Sequence, residues 1–150
     1  MNFIDFQTRL QEQLILELTD WQPKFVSETM RAFDFGCHPW HGYIELSFLT
    51  TDETDEISSD SIWETVGDWR LYDFAPPNAG YERFNDLGEW MKSYGQADKF
   101  FSLFASVLMS KEVINVLQKY NLSSDFQIGV VNPNDPNHFN YCDEWNKLIN

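Results

Sequence analysis

Along the first twenty residues apolar side chains recur at intervals of three and four. They are Phe3, Phe6, Leu10, Leu14 and Leu18, with Asp5, Gln7, Arg9, Gln11 and Glu12 between them. This spacing puts them on one face of a helix, and Asn2 is placed to cap it. The pattern then predicts a second helix, with Asp20 as its N-cap and Pro23 in its first turn. Phe25, Val26, Met30 and Phe33 would form its apolar face, and Gly36 would end it.

From Tyr43 to Thr50 the period changes to two. Ile44, Leu46 and Phe48 alternate with Tyr43, Glu45 and Ser47, the signature of a strand with unlike faces. Residues 51–61 are polar and acidic without a period and read as a loop. Ile62 to Val66 fits a short helix capped by Ser61. Trp69 to Phe74 alternates again and predicts a second strand, stopped by Pro76-Pro77 and the turn residues Asn78-Ala79-Gly80.

Phe84, Leu87, Met91 and Tyr94 make the stripe of a helix over 81–94, with Gly95 as its terminator. Phe100, Phe101, Phe104, Val107 and Leu108 mark a further helix capped by Asp98. Val113, Ile114, Leu117 and Tyr120 either continue it or form a helix of their own capped by Ser110. Asp125 to Val131 alternates as a late strand, 132–136 is loop, and a short helix is expected within 140–149. Helices at the start and in the late middle, with strands between, predict one α+β domain. Its antiparallel or mixed sheet would have about three to five strands, covered by helices.

Composition sharpens this picture in two ways. The 25 aromatic residues (13 Phe, 6 Trp, 6 Tyr) are more than a domain of 150 residues needs for surface contacts, so most belong to its core. The charge is uneven. Residues 52–89 hold 11 acidic and 2 basic residues, so this one segment carries −9 of the formal −14. Such a field disfavours direct binding to nucleic acid or anionic lipid and favours a basic partner. The start of the chain lacks a basic region followed by a continuous apolar stretch. Its longest apolar-rich run, 100–109, is far short of the ~20 residues that a membrane span needs. A cytoplasmic protein with free thiols is the expectation, since Cys37 and Cys142 are too few for a disulfide framework.

Phosphate-cradling glycine motifs are missing, and no catalytic signature stands out. Two clusters are candidates for function. Cys37-His38-Pro39-Trp40-His41 lies far in sequence from His138 and Cys142, yet Cys37, His41, His138 and Cys142 together have the ligand set of a tetrahedral zinc site. The spacing matches no common zinc finger, and the competing reading is buried small thiols beside histidines in a turn. The second candidate is the acidic segment with its aromatics. Charged rims around aromatic anchors describe a protein-recognition surface. There Asp52, Glu53, Asp55, Glu56, Asp60, Glu64 and Asp68 would steer a basic partner, and Trp63 or Trp69 would anchor it. The competing reading is a solvated acidic face over core rings.

Several features combine into a family resemblance. They are the helical start ending in Phe25-Val26 and Met30, the strand Tyr43-Ile44-Glu45-Leu46 running to Thr51-Asp52, and the tryptophans of Asp68-Trp69-Arg70 and Glu89-Trp90. The late helix pair and Phe126-Gln127-Ile128 complete the set. The plan resembles small acidic bacterial proteins of unknown function, some of them encoded beside polymorphic toxins and predicted to be their immunity proteins. The resemblance spans most of the chain. It implies a binding protein that neutralises a toxin, and it brings no catalytic residues; the acidic charge adds that the toxin would be basic and nuclease-type.

Overall fold

The first helix forms where its pattern places it. α1 (Phe3–Trp21) starts at Asn2, whose side chain accepts the Asp5 amide at 2.8 Å. It buries Phe6, Leu10, Leu14, Glu17 and Leu18 along one stripe. The computed structural model describes residues 1–56, 62–75 and 81–149, with backbone alone at 54–56, 81–83 and 149.

The second helix expected between Asp20 and Gly36 does not form. A single 3-10 turn, Gln22–Phe25, with Pro23 near its start, leads instead into strand β1 (Met30–His38). Every residue of β1 but His38 is buried. Phe33, Phe35 and Cys37 alternate along it with Asp34, Gly36 and His38, a period of two that the helical spacing hides. Phe25, Met30 and Phe33 then match a helical spacing by coincidence. Gly36 sits inside this strand because a side chain there would come within 3.0 Å of the Glu45 carbonyl.

β2 (Tyr43–Thr50) returns antiparallel to β1 through a turn in which Gly42 takes φ +70°. Its register pairs Phe33 with Phe48, Asp34 with Ser47, Phe35 with Leu46 and Gly36 with Glu45. β3 (Leu122–Gly129) runs parallel to β1 on the other side, giving the order β2-β1-β3. Where a short helix is expected after residue 61 the chain makes two 3-10 turns, Ile62–Glu64 and Val66–Asp68. The expected cap Ser61 and the expected stop at 76–80 lie outside the described residues. The strand expected over Trp69–Phe74 is reduced to one bridge, Leu71 to Phe48, and a hydrogen bond from the Phe74 amide to the Leu46 carbonyl. This segment lies along the β2 edge without joining the sheet. On the opposite edge, Asn146 bonds both the amide and the carbonyl of Ile128, and Asn140 bonds the Ile128 carbonyl and the Val130 amide. Side-chain amides thereby occupy backbone positions that an unprotected edge would offer to another chain.

The remaining helices are α2 (Tyr81–Tyr94), α3 (Asp98–Leu108), α4 (Lys111–Leu117) and α5 (Asp143–Ile149). Gly95, at φ +79°, ends α2 as expected. The late apolar stretch is two helices meeting at 63°, with Ser110 capping the second through the Val113 amide. Asp98 is the first helical residue of α3, not its cap. No single helix among the described residues is long and apolar enough to cross a membrane.

The pairing sorts the side chains of the sheet into two faces. Phe33, Phe35, Cys37, Ile44, Leu46, Phe48 and Ile128 point into the main core, against α1, α3 and α4. Each fully buried phenylalanine there is worth about 1.5–3 kcal/mol of transfer free energy. Ala32 and Leu49 point the other way and meet Ile62 and Trp69 in a small second core. The molecule is thus a single α+β domain with a three-stranded mixed sheet among the described residues, helices on one face, the 62–69 turns on the other and 71–75 along the β2 edge, where Phe74 enters the main core.

Candidate functional site

The second face of the sheet is polar beyond its small apolar patch. Alternation along β1 places Asp34, Gly36 and His38 on it, and the register brings Ser47 and Glu45 of β2 alongside. Glycines make the room above them. Gly36 leaves open the space between the two acids: a Cβ built there falls 3.1 Å from Glu45 Cβ and 3.5 Å from Asp34 Oδ2. At Gly129 of β3 the Trp63 ring occupies the side-chain position, 2.3 Å from where a Cβ would stand. The result is a cavity of about 230 Å³ floored by Asp34, Gly36, His38 and Glu45 and walled by Trp63, Glu64, Tyr72, Val131 and His138.

Two backbone contortions help to shape its rim. Asp73 takes φ +46° while its amide donates to Ser47 Oγ at 2.9 Å, and His138 takes φ +49°. For non-glycine residues both are uncommon conformations. They present the tyrosine before Asp73 and the imidazole of His138 to the cavity.

The electrostatics of the floor are those of acids removed from water. Burial, reinforced by the neighbouring charge of Glu45, pushes the Asp34 carboxyl up to about 8. Asp73 rises for the same two reasons, to about 6. Burial lowers His38, while Glu45 pulls it upward from 3.3 Å and His41 lowers it further. The Tyr72 phenol is held well above its usual range by burial, then by the neighbouring Glu45. Among the described residues, Asp34 Oδ1, Glu45 Oε2 and His138 Nδ1 are buried without a hydrogen-bond partner. The nearest acid to His138 Nδ1, Glu64 Oε1, stands at 4.0 Å, too far for a hydrogen bond.

The acidic segment divides under this geometry. Asp52 and Glu53 work inside the fold. Both meet the Thr50 hydroxyl, Glu53 also accepts the Arg70 amide at 2.7 Å, and Asp52 pairs with the Arg70 guanidinium at 3.3 Å. Arg70 in turn reaches Glu28 at 3.0 Å, so this group pins the start of the segment to the rest of the domain. The hydrogen bond from Thr50 is the main cause of the lowered pKa of Asp52. Glu64 and Asp68 are exposed. The side chains of Asp55, Glu56 and Asp60 lie outside the described residues.

The tryptophans expected as anchors also separate. Trp69 is only 3% exposed and fills the second core, its indole N–H donating to Thr65 Oγ1 at 3.2 Å. It faces inward because the sheet face beneath it carries Ala32 and Leu49 and needs an apolar cover. Trp63 is half-buried and lines the cavity.

Of the four residues considered for zinc, Cys37 and Cys142 are fully buried free thiols. Burial raises Cys37 well above its usual value and Cys142 to about 12, which keeps both protonated. His41 is exposed and stacks on Tyr43 at 5.9 Å, and His138 belongs to the cavity wall. Among the described residues no group of three or more His, Cys, Asp or Glu side chains is placed to hold a metal ion.

Of the floor residues, the sequence singles out His38 only as a member of the Cys37–His41 cluster, and Asp34 and Glu45 not at all. The available signal was an aspartate between two phenylalanines, Phe33-Asp34-Phe35, which a helical reading of 20–36 turns toward solvent. Compared with protein-family models, curated proteins and solved structures, the chain matches none.

Proposed function

We propose that this chain is a protein-interaction domain that binds a basic partner with the sheet face opposite its helices. The observation that carries the reading is the join between charge and cavity. The segment holding most of the net charge covers a pocket whose floor has buried carboxyl oxygens, Asp34 Oδ1 and Glu45 Oε2, without hydrogen-bond partners among the described residues. Buried acceptors of this kind are costly unless something pairs with them. Exposed Glu64 and Asp68 add negative charge around the same segment, where it acts on approach. The resemblance to predicted immunity proteins makes a toxin the partner, and the acidic charge suits a nuclease-type one, whose phosphate-binding cleft is basic.

Opposite charge of this kind raises association to ~10⁸–10⁹ M⁻¹s⁻¹ at low salt. The test is stopped-flow association of the purified domain with its captured and purified basic partner, from low to physiological salt. Glu64→Lys with Asp68→Lys is expected to slow association and flatten its salt dependence. Glu112→Lys, on α4 behind the sheet, leaves both nearly unchanged. Equal rates and salt slopes for the double variant and the native protein would remove this face as the contact.

A further inference from the structure

We infer that the cavity is a socket for a single guanidinium group. The inference rests on the binding-face reading only for where that group comes from.

Two acceptors of different carboxyls meet there. Asp34 projects from β1, and Glu45 from the neighbouring strand opposite Gly36, so the acids are diagonal neighbours across the pair. Glu45 Oε1 is engaged by His38 Nε2, which leaves Oε2 as its unpartnered atom beside Asp34 Oδ1. Asp34 is only 5% exposed, so its carboxyl meets the ligand away from bulk water. The bare backbone of Gly36 opens the gap between the two acids.

The shape of the cavity chooses among cations. About 230 Å³ is far more than a bare ion needs, and the described side chains do not converge on one point as metal ligands do. An ammonium group offers the carboxylates a point charge. A guanidinium offers a flat fork of five donors and stacks on aromatic faces as well. The cavity has both requirements: on its floor the carboxyls of Asp34 and Glu45, of which Asp34 gives up its proton as the cation arrives, and on its wall the Trp63 indole. Negative charge on the floor and rim disfavours an anionic ligand, and the unpartnered carboxylate atoms disfavour an apolar one.

The group has two possible sources, an arginine side chain of a protein partner or a free small guanidine. The experiment titrates the intact domain with argininamide, lysinamide and citrullinamide, the last with a nearly isosteric but uncharged side chain and the same α-amino group. Indole NMR signals report the contact. Argininamide is expected to saturate with Kd of about 1 mM, the scale of a small ligand that places one charged side chain in the site. Lysinamide should bind at least threefold more weakly, and citrullinamide should not saturate. Asp34→Asn should weaken argininamide about tenfold or more. Gly36→Ala, which fills the gap while leaving every charge in place, should do the same. Equal affinity for lysinamide, or undiminished binding to both variants, overturns the socket.

A competition arm separates the sources. If argininamide binds and a basic partner protein displaces it, the socket takes a partner arginine. If argininamide binds but basic proteins neither bind the face nor compete, the socket stands as a small-guanidine site and the protein-binding reading falls. If a basic partner binds this face without displacing argininamide, or argininamide fails to bind at all, the socket is wrong while the protein-binding reading survives.

Discussion

Replacing Asp34 by asparagine should make the protein more stable, by an amount that grows with pH. The ordinary value of this carboxyl is 3.8, and in the folded protein it is pushed up to about 8. Between those limits the folded state holds a proton that the unfolded state has released. Raising the pH therefore costs stability, by about 1.4 kcal/mol per unit, until the loss levels off near pH 8. From this one group the wild type gives up about 4 kcal/mol by pH 7. The asparagine has no proton to lose and so brings no such slope, but its buried amide carries a desolvation cost of about 1–3 kcal/mol at every pH. The constant offset cancels when the two proteins are compared across pH. Glu45, His38, Tyr72 and Asp73 remain in both and largely cancel as well. The variant's advantage should therefore widen by about 2–3 kcal/mol from pH 5 to pH 7. Urea unfolding followed by tryptophan fluorescence, at unit steps from pH 5 to 8, measures it. A gap that changes by less than about 0.5 kcal/mol over that range would refute the reasoning, because the carboxyl would then be ionised in the native state at little cost.

Three further outcomes are expected. Gly88→Ala should destabilise by about 2 kcal/mol or more in urea unfolding, since its Cβ would fall 2.1 Å from the Gly42 carbonyl oxygen. An exposed helix would instead gain from the same change, so the sign alone decides whether that backbone contact exists. Asn146→Ala removes both hydrogen bonds to Ile128 and should cost about 1–3 kcal/mol. Hydrogen exchange should speed at the Ile128 amide while the Phe35 amide, in the central strand, stays protected. Cys37 and Cys142 should resist a thiol reagent at pH 8 in the native protein and titrate as two thiols in denaturant, because burial keeps them protonated and covered. Modification of either within minutes under native conditions would contradict their placement.

The elements legible in the sequence are those whose apolar residues keep a single period. α1 carries its apolar residues on a single stripe and β2 alternates, so both periods survive in the chain. β1 reads as helix because Phe25, Val26, Met30 and Phe33 also fit a helical spacing, although Phe33, Phe35 and Cys37 alternate with Asp34, Gly36 and His38. Residues 69–74 alternate well enough for a strand, but only Leu71 pairs with β2, and Trp69 turns into the second core. The site was half legible. Charge pointed to the segment that covers the cavity and to Trp63 and Glu64 in its wall. It did not point to the floor, because Asp34 and Glu45 lie outside that segment and each is an ordinary acid in its local sequence.

Composition and pattern alone determined an acidic α+β domain with an aromatic core and a charged central segment. These are sums over residues or local periods, so they need no knowledge of which distant residues meet. Only the tertiary structure decided what the acids do. Pairing Gly36 with Glu45 and Asp34 with Ser47 sets two carboxyls side by side, and laying Trp63 on Gly129 closes a wall beside them. A carboxyl's charge state depends on the water it keeps and the charges it faces. The fold fixes both, and so an acid hidden between two phenylalanines becomes the floor of the pocket.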